Sequence, residues 1–129
     1  MSDKKLEILK VYTQAWNDHD IDTIMSMMTE ECTFYTIAGP DVMGTEHNGS
    51  EKVRAAFESA WQNFPDAAWL DGEFYVLDDT HAMSTSRFKG TDLNGAKHEA
   101  QMVDLFTFEG DKISVKNAFR KNRPAVSGS

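Results

Sequence analysis

The chain has 129 residues, 40% of them hydrophobic, and a formal net charge of -8, so it can bury a core without disulfide or metal support. The acidic balance argues against nucleic acid as a partner, because phosphate contacts need clustered Lys and Arg. One cysteine, Cys32, excludes an intrachain disulfide and suits a reducing, cytoplasmic setting, and the N-terminal MSDKKLEILK offers no apolar run for a signal peptide or membrane span.

In chain order, Ile8, Val11, Tyr12, Ala15 and Trp16 recur at helical spacing and predict a first helix ending near Asn17-Asp18-His19. Asp20 stands where an N-cap belongs, and Ile21, Ile24, Met25 and Met28 predict a second helix closed by Glu30-Glu31. Cys32 to Ile37 is β-branched and aromatic enough for a strand. Ala38 to Gly49 is rich in Gly, Pro, Asp and Asn and predicts a long loop, with Asn48-Gly49-Ser50 read as a turn and cap. Ser50 is the expected cap of a third helix whose stripe is Val53, Ala56, Phe57, Ala60, Trp61 and Phe64, and Pro65 stops it.

The rest reads as sheet. Trp69–Leu77, His81–Lys89, His98–Phe108 and Lys112–Arg120 are four strands joined by short turns, which predicts an antiparallel meander. No repeat or linker divides the chain, so residues 1–125 are expected to be one α+β domain, with 126–129 a loose tail. Three helices cannot cover both faces of such a sheet. The expectation is a twisted, curved sheet curling round its helices and enclosing one interior pocket.

Tyr12-Thr-Gln-Ala-Trp-Asn-Asp-His-Asp-Ile-Asp22 and Met102-Val-Asp-Leu-Phe-Thr-Phe-Glu-Gly-Asp-Lys-Ile113, taken with the element order, resemble the nuclear transport factor 2-like superfamily. Within it the chain is similar to the SnoaL-like and ketosteroid-isomerase-like branch, from about Lys5 to Arg123. The resemblance implies a cone-shaped α+β barrel, three N-terminal helices packed in a curved, mostly antiparallel sheet. It speaks for fold more than for function, since this fold hosts isomerases, cyclases, dehydratases, hydrolases and binding modules.

The resemblance also implies site residues. Tyr12 and Asp104 match the oxyanion donors of the isomerases, and an acid flanked by Met102, Val103, Leu105 and Phe106 is expected to hold its proton once buried. The isomerase base falls at Thr36, which cannot take a proton near pH 7, so standard steroid isomerisation is not expected. The acid on the last strand of related cyclases and epoxide hydrolases falls at Ala118. Trp16, Phe34, Phe57, Trp61 and Met102 are the expected apolar walls, with Thr36, Lys116 and Ala118 beside them. Lys116 and Arg120 share a face with Ala118; the bare pattern favours the opposite arrangement, in which Ile113, Val115 and Phe119 form the buried face. Asp41 in the long loop is a distant candidate for a displaced base.

The four histidines have no ligand spacing, and neither metal nor cofactor is expected. Two functions compete. One is an isomerase- or cyclase-like enzyme acting on a small apolar or weakly anionic carbonyl compound. The other is a non-catalytic ligand-binding or homodimerisation domain, and a homodimer through the open face of the sheet fits either.

Overall fold

A computed structural model describes residues 2–126. The elements are α1 (Ser2–Asn17), α2 (Ile21–Ser26), β1 (Met28–Tyr35), β2 (Glu46–Asn48), α3 (Ser50–Asn63), β3 (Ala68–Val76), β4 (His81–Thr91), β5 (Lys97–Glu109) and β6 (Lys112–Arg120). Among the described residues no helix is long and apolar enough to cross a membrane.

The six strands form one mixed sheet in the order β2-β1-β6-β5-β4-β3. β3 to β6 make the expected antiparallel meander, while β1 runs parallel to β6. The cone-shaped barrel is not what forms. The sheet is open, with β2 and β3 as unpaired edges, and it neither closes nor curls strongly round the helices. Closure needs two edges that can pair along their length. Here one edge strand has three residues, and the other is kinked at Asp71, a non-glycine residue at φ 59 where the β3–β4 register slips.

Local chemistry explains most boundaries. Asp20 caps α2, its carboxylate accepting from Thr23 N at 3.2 Å and Thr23 Oγ1 at 2.6 Å. Pro65 ends α3 at Phe64, whose φ of -135 is no longer helical. Three expectations need correcting. The second helix stops at Ser26, so Met28 and Glu30 belong to β1, which pairs with β6 from Met28 onward. Ser50 is the first residue of α3, and the cap position is Gly49 at φ 90, a conformation that suits glycine. The long loop contains the short strand β2.

Helices pack on one face of the sheet. Leu9, Tyr12 and Trp16 of α1, Ile24 of α2 and Phe57 of α3 meet Ala82, Phe106, Phe108 and Ile113 of the sheet. Each fully buried side chain of this size stabilises the fold by about 1.5–3 kcal/mol. Val11, expected in the α1 stripe, is 55% exposed, and Leu9 at 0% takes its place. The C-terminal end of α1 is fixed by Asn17, whose side chain donates to Trp69 O at 3.0 Å and accepts from Trp69 N at 2.7 Å. His19 Nε2 adds a bond to Ala67 O at 3.0 Å. Val126, the first residue of the expected tail, pairs with Lys97, and 127–129 lie outside the described residues.

Candidate functional site

The inner face of the sheet alternates regularly on β4 and β5. Ala82, Ser84, Ser86 and Phe88 point to the helices from β4, and Met102, Asp104, Phe106 and Phe108 from β5. On β6 the alternation breaks. Phe108 pairs with Ile113 but Thr107 with Val115, so Ser114 is an extra residue, and its hydroxyl donates to Thr107 O at 3.2 Å. This bulge shifts the phase of everything after it. Ile113 and then Lys116 and Ala118 face inward, while Phe119 is 49% exposed. The arrangement favoured by the bare pattern, with Val115 and Phe119 inside, is therefore overturned; a period of two counted from Ile113 gives the wrong face once one residue is added.

The bulge brings Lys116 under the helices. Its Nζ lies 4.0 Å from the ring centroid of Trp16, 5.3 Å from Phe57 and 5.6 Å from Phe34. Asp104 stands opposite Ser84 on one side and Ala118 on the other, diagonal to Lys116. Asp104 and Lys116 are both buried, and among the described residues Asp104 Oδ1 has no hydrogen-bond partner. Burial holds Asp104 above the usual carboxylate range, opposed in part by the nearby Lys116. Burial likewise pulls Lys116 below the usual amine value, with Asp104 opposing.

Tyr12 sits one helical turn before Trp16 and meets Phe106 edge-on at 5.6 Å. Its hydroxyl donates to Met28 Sδ at 3.6 Å, a weak acceptor, and burial pushes its pKa well above the ordinary tyrosine value. Trp16 Nε1 is also buried without a partner among the described residues. Tyr12, Trp16, Ser84, Ser86, Asp104 and Lys116 border a slot of about 20 Å³, the space of roughly one water.

A larger cleft of about 290 Å³ opens beside this slot, between α1, α3 and the sheet. Trp16, Trp69 and Lys116 border both spaces and so form the partition between them. In place of one interior pocket there is thus a small polar slot behind an aromatic cleft. Of the expected wall residues, Trp16, Phe34, Thr36, Met102, Lys116 and Ala118 line the cleft. Phe57 and Trp61 do not; they pack against Trp16 at 4.7 and 5.0 Å.

Arg120 also lines the cleft, its guanidinium 4.5 Å from the ring centroid of Phe88, whereas among the described residues no Asp or Glu does. Burial holds Arg120 below its usual value. Thr36 turns its hydroxyl to the loop, donating to Ala38 O at 2.5 Å and accepting from Thr45 N at 2.9 Å. Asp41 is exposed in a turn with Gly44 and borders neither space. Sequence reasoning missed Ser84 and Ser86, although the alternation Ala82-x-Ser84-x-Ser86-x-Phe88 carries them on one strand face. Among the described residues no group of three or more His, Cys, Asp or Glu converges as metal ligands do.

A family model for the SnoaL-like domain matches residues 9–115. The epoxide hydrolase/cyclase-like enzyme SalBIII, described in pyran ring formation in the polyether salinomycin, is similar in structure at 24% identity and TM-score 0.79, over 92% of each chain. A protein of unknown function with a cystatin-like fold from Xanthomonas campestris is similar at 20% identity and TM-score 0.81, over 95% of this chain and 92% of that one. A protein with a ketosteroid isomerase-like fold from Catenulispora acidiphila, in complex with trimethylamine, is similar at 16% identity and TM-score 0.75, over 88% and 84%. At these identities the likeness is one of fold. No curated protein matches the chain.

Proposed function

The chain belongs to the SnoaL-like domain family, and from that premise we propose that it binds a small apolar or weakly anionic carbonyl compound and acts on it as an isomerase- or cyclase-like enzyme. The observation that carries this is the buried Asp104, whose Oδ1 lacks a partner among the described residues beside a one-water slot at the back of an aromatic cleft. An unpaired buried polar atom costs stability and calls for a partner from outside the chain.

A substrate oxygen entering the slot supplies the missing partner. Asp104, holding its proton through burial, donates to it, and Tyr12 exchanges the thioether of Met28 for a much better acceptor. The aromatic walls take the apolar body of the molecule, and the Arg120 guanidinium favours partial negative charge on it. The base that steroid isomerases use has no counterpart at Thr36, whose hydroxyl is committed to the loop. Ala118 supplies no acid.

Titration of the parent, Tyr12→Phe and Asp104→Asn with 4-nitrophenol tests this reading, since a phenolate mimics an oxyanion. Weakened binding in both variants is expected. If both bind as the parent does, the oxyanion site is lost.

A second reading, a domain whose role is to pair with its own copy, is favoured by the outer face of the sheet. Tyr75, Met83 and Leu105 form a cross-strand row there, and Phe119 lies half exposed near it. Sedimentation of the intact chain tests it: a monomer at micromolar concentration removes it.

A further inference from the structure

Lys116 is a costly residue to place where it is. An ammonium buried among aromatic rings loses its water, and among the described residues it gains no hydrogen bond or ion pair in return. The other lysines whose side chains are described are exposed or half-buried. A bulge is also required to turn Lys116 inward, since the regular alternation of β6 would not place it there. Bulges of this kind re-aim side chains, and this one aims an amine at the boundary between slot and cleft.

We infer that Lys116 is an amine nucleophile that forms an imine with a small apolar aldehyde or ketone held in the cleft, with Asp104 as the proton donor to the carbonyl oxygen. This rests on the proposed reading that the oxygen enters the slot, and it narrows the substrate class from carbonyl compounds generally to aldehydes and ketones. An oxygen in the slot sets its carbonyl carbon at the partition, where Lys116 stands. Trp16, Phe34 and Phe57 keep the surroundings of the amine apolar. Burial favours the neutral amine of Lys116 and the protonated acid of Asp104, the two forms that attack and donation need.

The step balances within the pair. The Nζ lone pair forms a bond to the carbonyl carbon, the C=O π electrons move to oxygen, and oxygen takes the Asp104 proton. The nitrogen of the adduct returns a proton to the Asp104 carboxylate. Asp104 then protonates the hydroxyl, which leaves as water while nitrogen forms the C=N bond, and the last N–H proton goes back to Asp104. One carbonyl compound and one amine become one imine and one water, and Asp104 ends as it began.

The test is reductive trapping on the intact chain with benzaldehyde and sodium cyanoborohydride at pH 7, the benzyl adduct being located by peptide mass mapping. Lys116 is expected to be labelled at least about tenfold faster than the exposed Lys52, because an ordinary lysine is almost wholly protonated at that pH. Saturating 4-nitrophenol should suppress the Lys116 label and leave Lys52 unchanged. Labelling of Lys116 no faster than Lys52 overturns the inference. If that happens while 4-nitrophenol still binds through Tyr12 and Asp104, the amine is lost and the oxyanion site stands. If Lys116 labels selectively while 4-nitrophenol fails to bind, the reverse holds. Asp104→Asn, with its circular dichroism unchanged, should slow the labelling by about 10²-fold, the low end for loss of a general acid; an unchanged rate removes Asp104 from the step.

Discussion

Asp104 and Lys116 lie diagonally across β5 and β6 on one sheet face, 7% and 6% exposed, and border the same slot, yet Asp104 Oδ1 makes no hydrogen bond to the lysine. Two buried titratable groups that do not bond each other are each pushed toward neutrality, and the slope of stability against pH has opposite sign for the two.

For Lys116 the direction is downward from 10.5, burial being the main cause. The unfolded chain then holds a proton that the native chain tends to release, so native stability rises with pH from the lowered value up to 10.5. Lys116→Met removes that slope. Urea midpoints should place the variant above the parent by about 1 kcal/mol or more near pH 7, with the two converging toward pH 10. A gap that stays constant with pH would contradict the burial cost assigned to the amine.

The phase of β6 can be read with thiol chemistry. Phe119→Cys should react with a small disulfide reagent nearly as fast as an unfolded peptide, and Ala118→Cys at least about tenfold slower, as expected of a protected thiol. Cys32, 0% exposed and with its thiol pushed up by burial, serves as the unreactive internal control. Faster reaction at position 118 would place the bulge elsewhere.

Among the described residues Arg120 has no carboxylate neighbour in the cleft. Arg120→Gln should weaken binding of 4-nitrophenolate about tenfold, the low end for one charged hydrogen bond, while leaving 4-nitrobenzaldehyde, which is neutral, unchanged. Equal losses for both ligands, measured by competition, would mean that Arg120 shapes the cleft and does not select charge.

Asn17 makes two hydrogen bonds to the backbone of Trp69. Asn17→Ala leaves that N–H and carbonyl without their partner and should cost about 2 kcal/mol in urea unfolding. A cost below about 0.5 kcal/mol would show that water replaces the side chain freely.

How much of this could be read beforehand depended on the range of the interaction. Asp20 and Pro65 act within a few residues of themselves, and both marked boundaries correctly. The four-strand meander was legible because its turns are short. The pairing of β1 with β6 was not, since parallel pairing joins segments far apart in the chain and leaves no local pattern. The α1 stripe was read slightly off-axis because Ile8, Leu9 and Val11 are all apolar, and only the packing partner selects among them. The inward turn of Lys116 was hidden by Ser114, one small polar residue that looks like any other strand position until its partner strand is known. Asp104 stood out because an acid inside an apolar strand has few cheap explanations.

The Asn17 clamp bears on more than the packing of α1. The open β3 edge exposes backbone groups that another chain could use as a template for adding a strand. At Trp69 both of those groups are already occupied by a side-chain amide of the same molecule, which has the same donor and acceptor pair as a peptide bond. A few residues on, the left-handed Asp71 bends the strand out of line. The sheet thus gains protection against self-association at its long edge without closing into a barrel, from one asparagine and one kink.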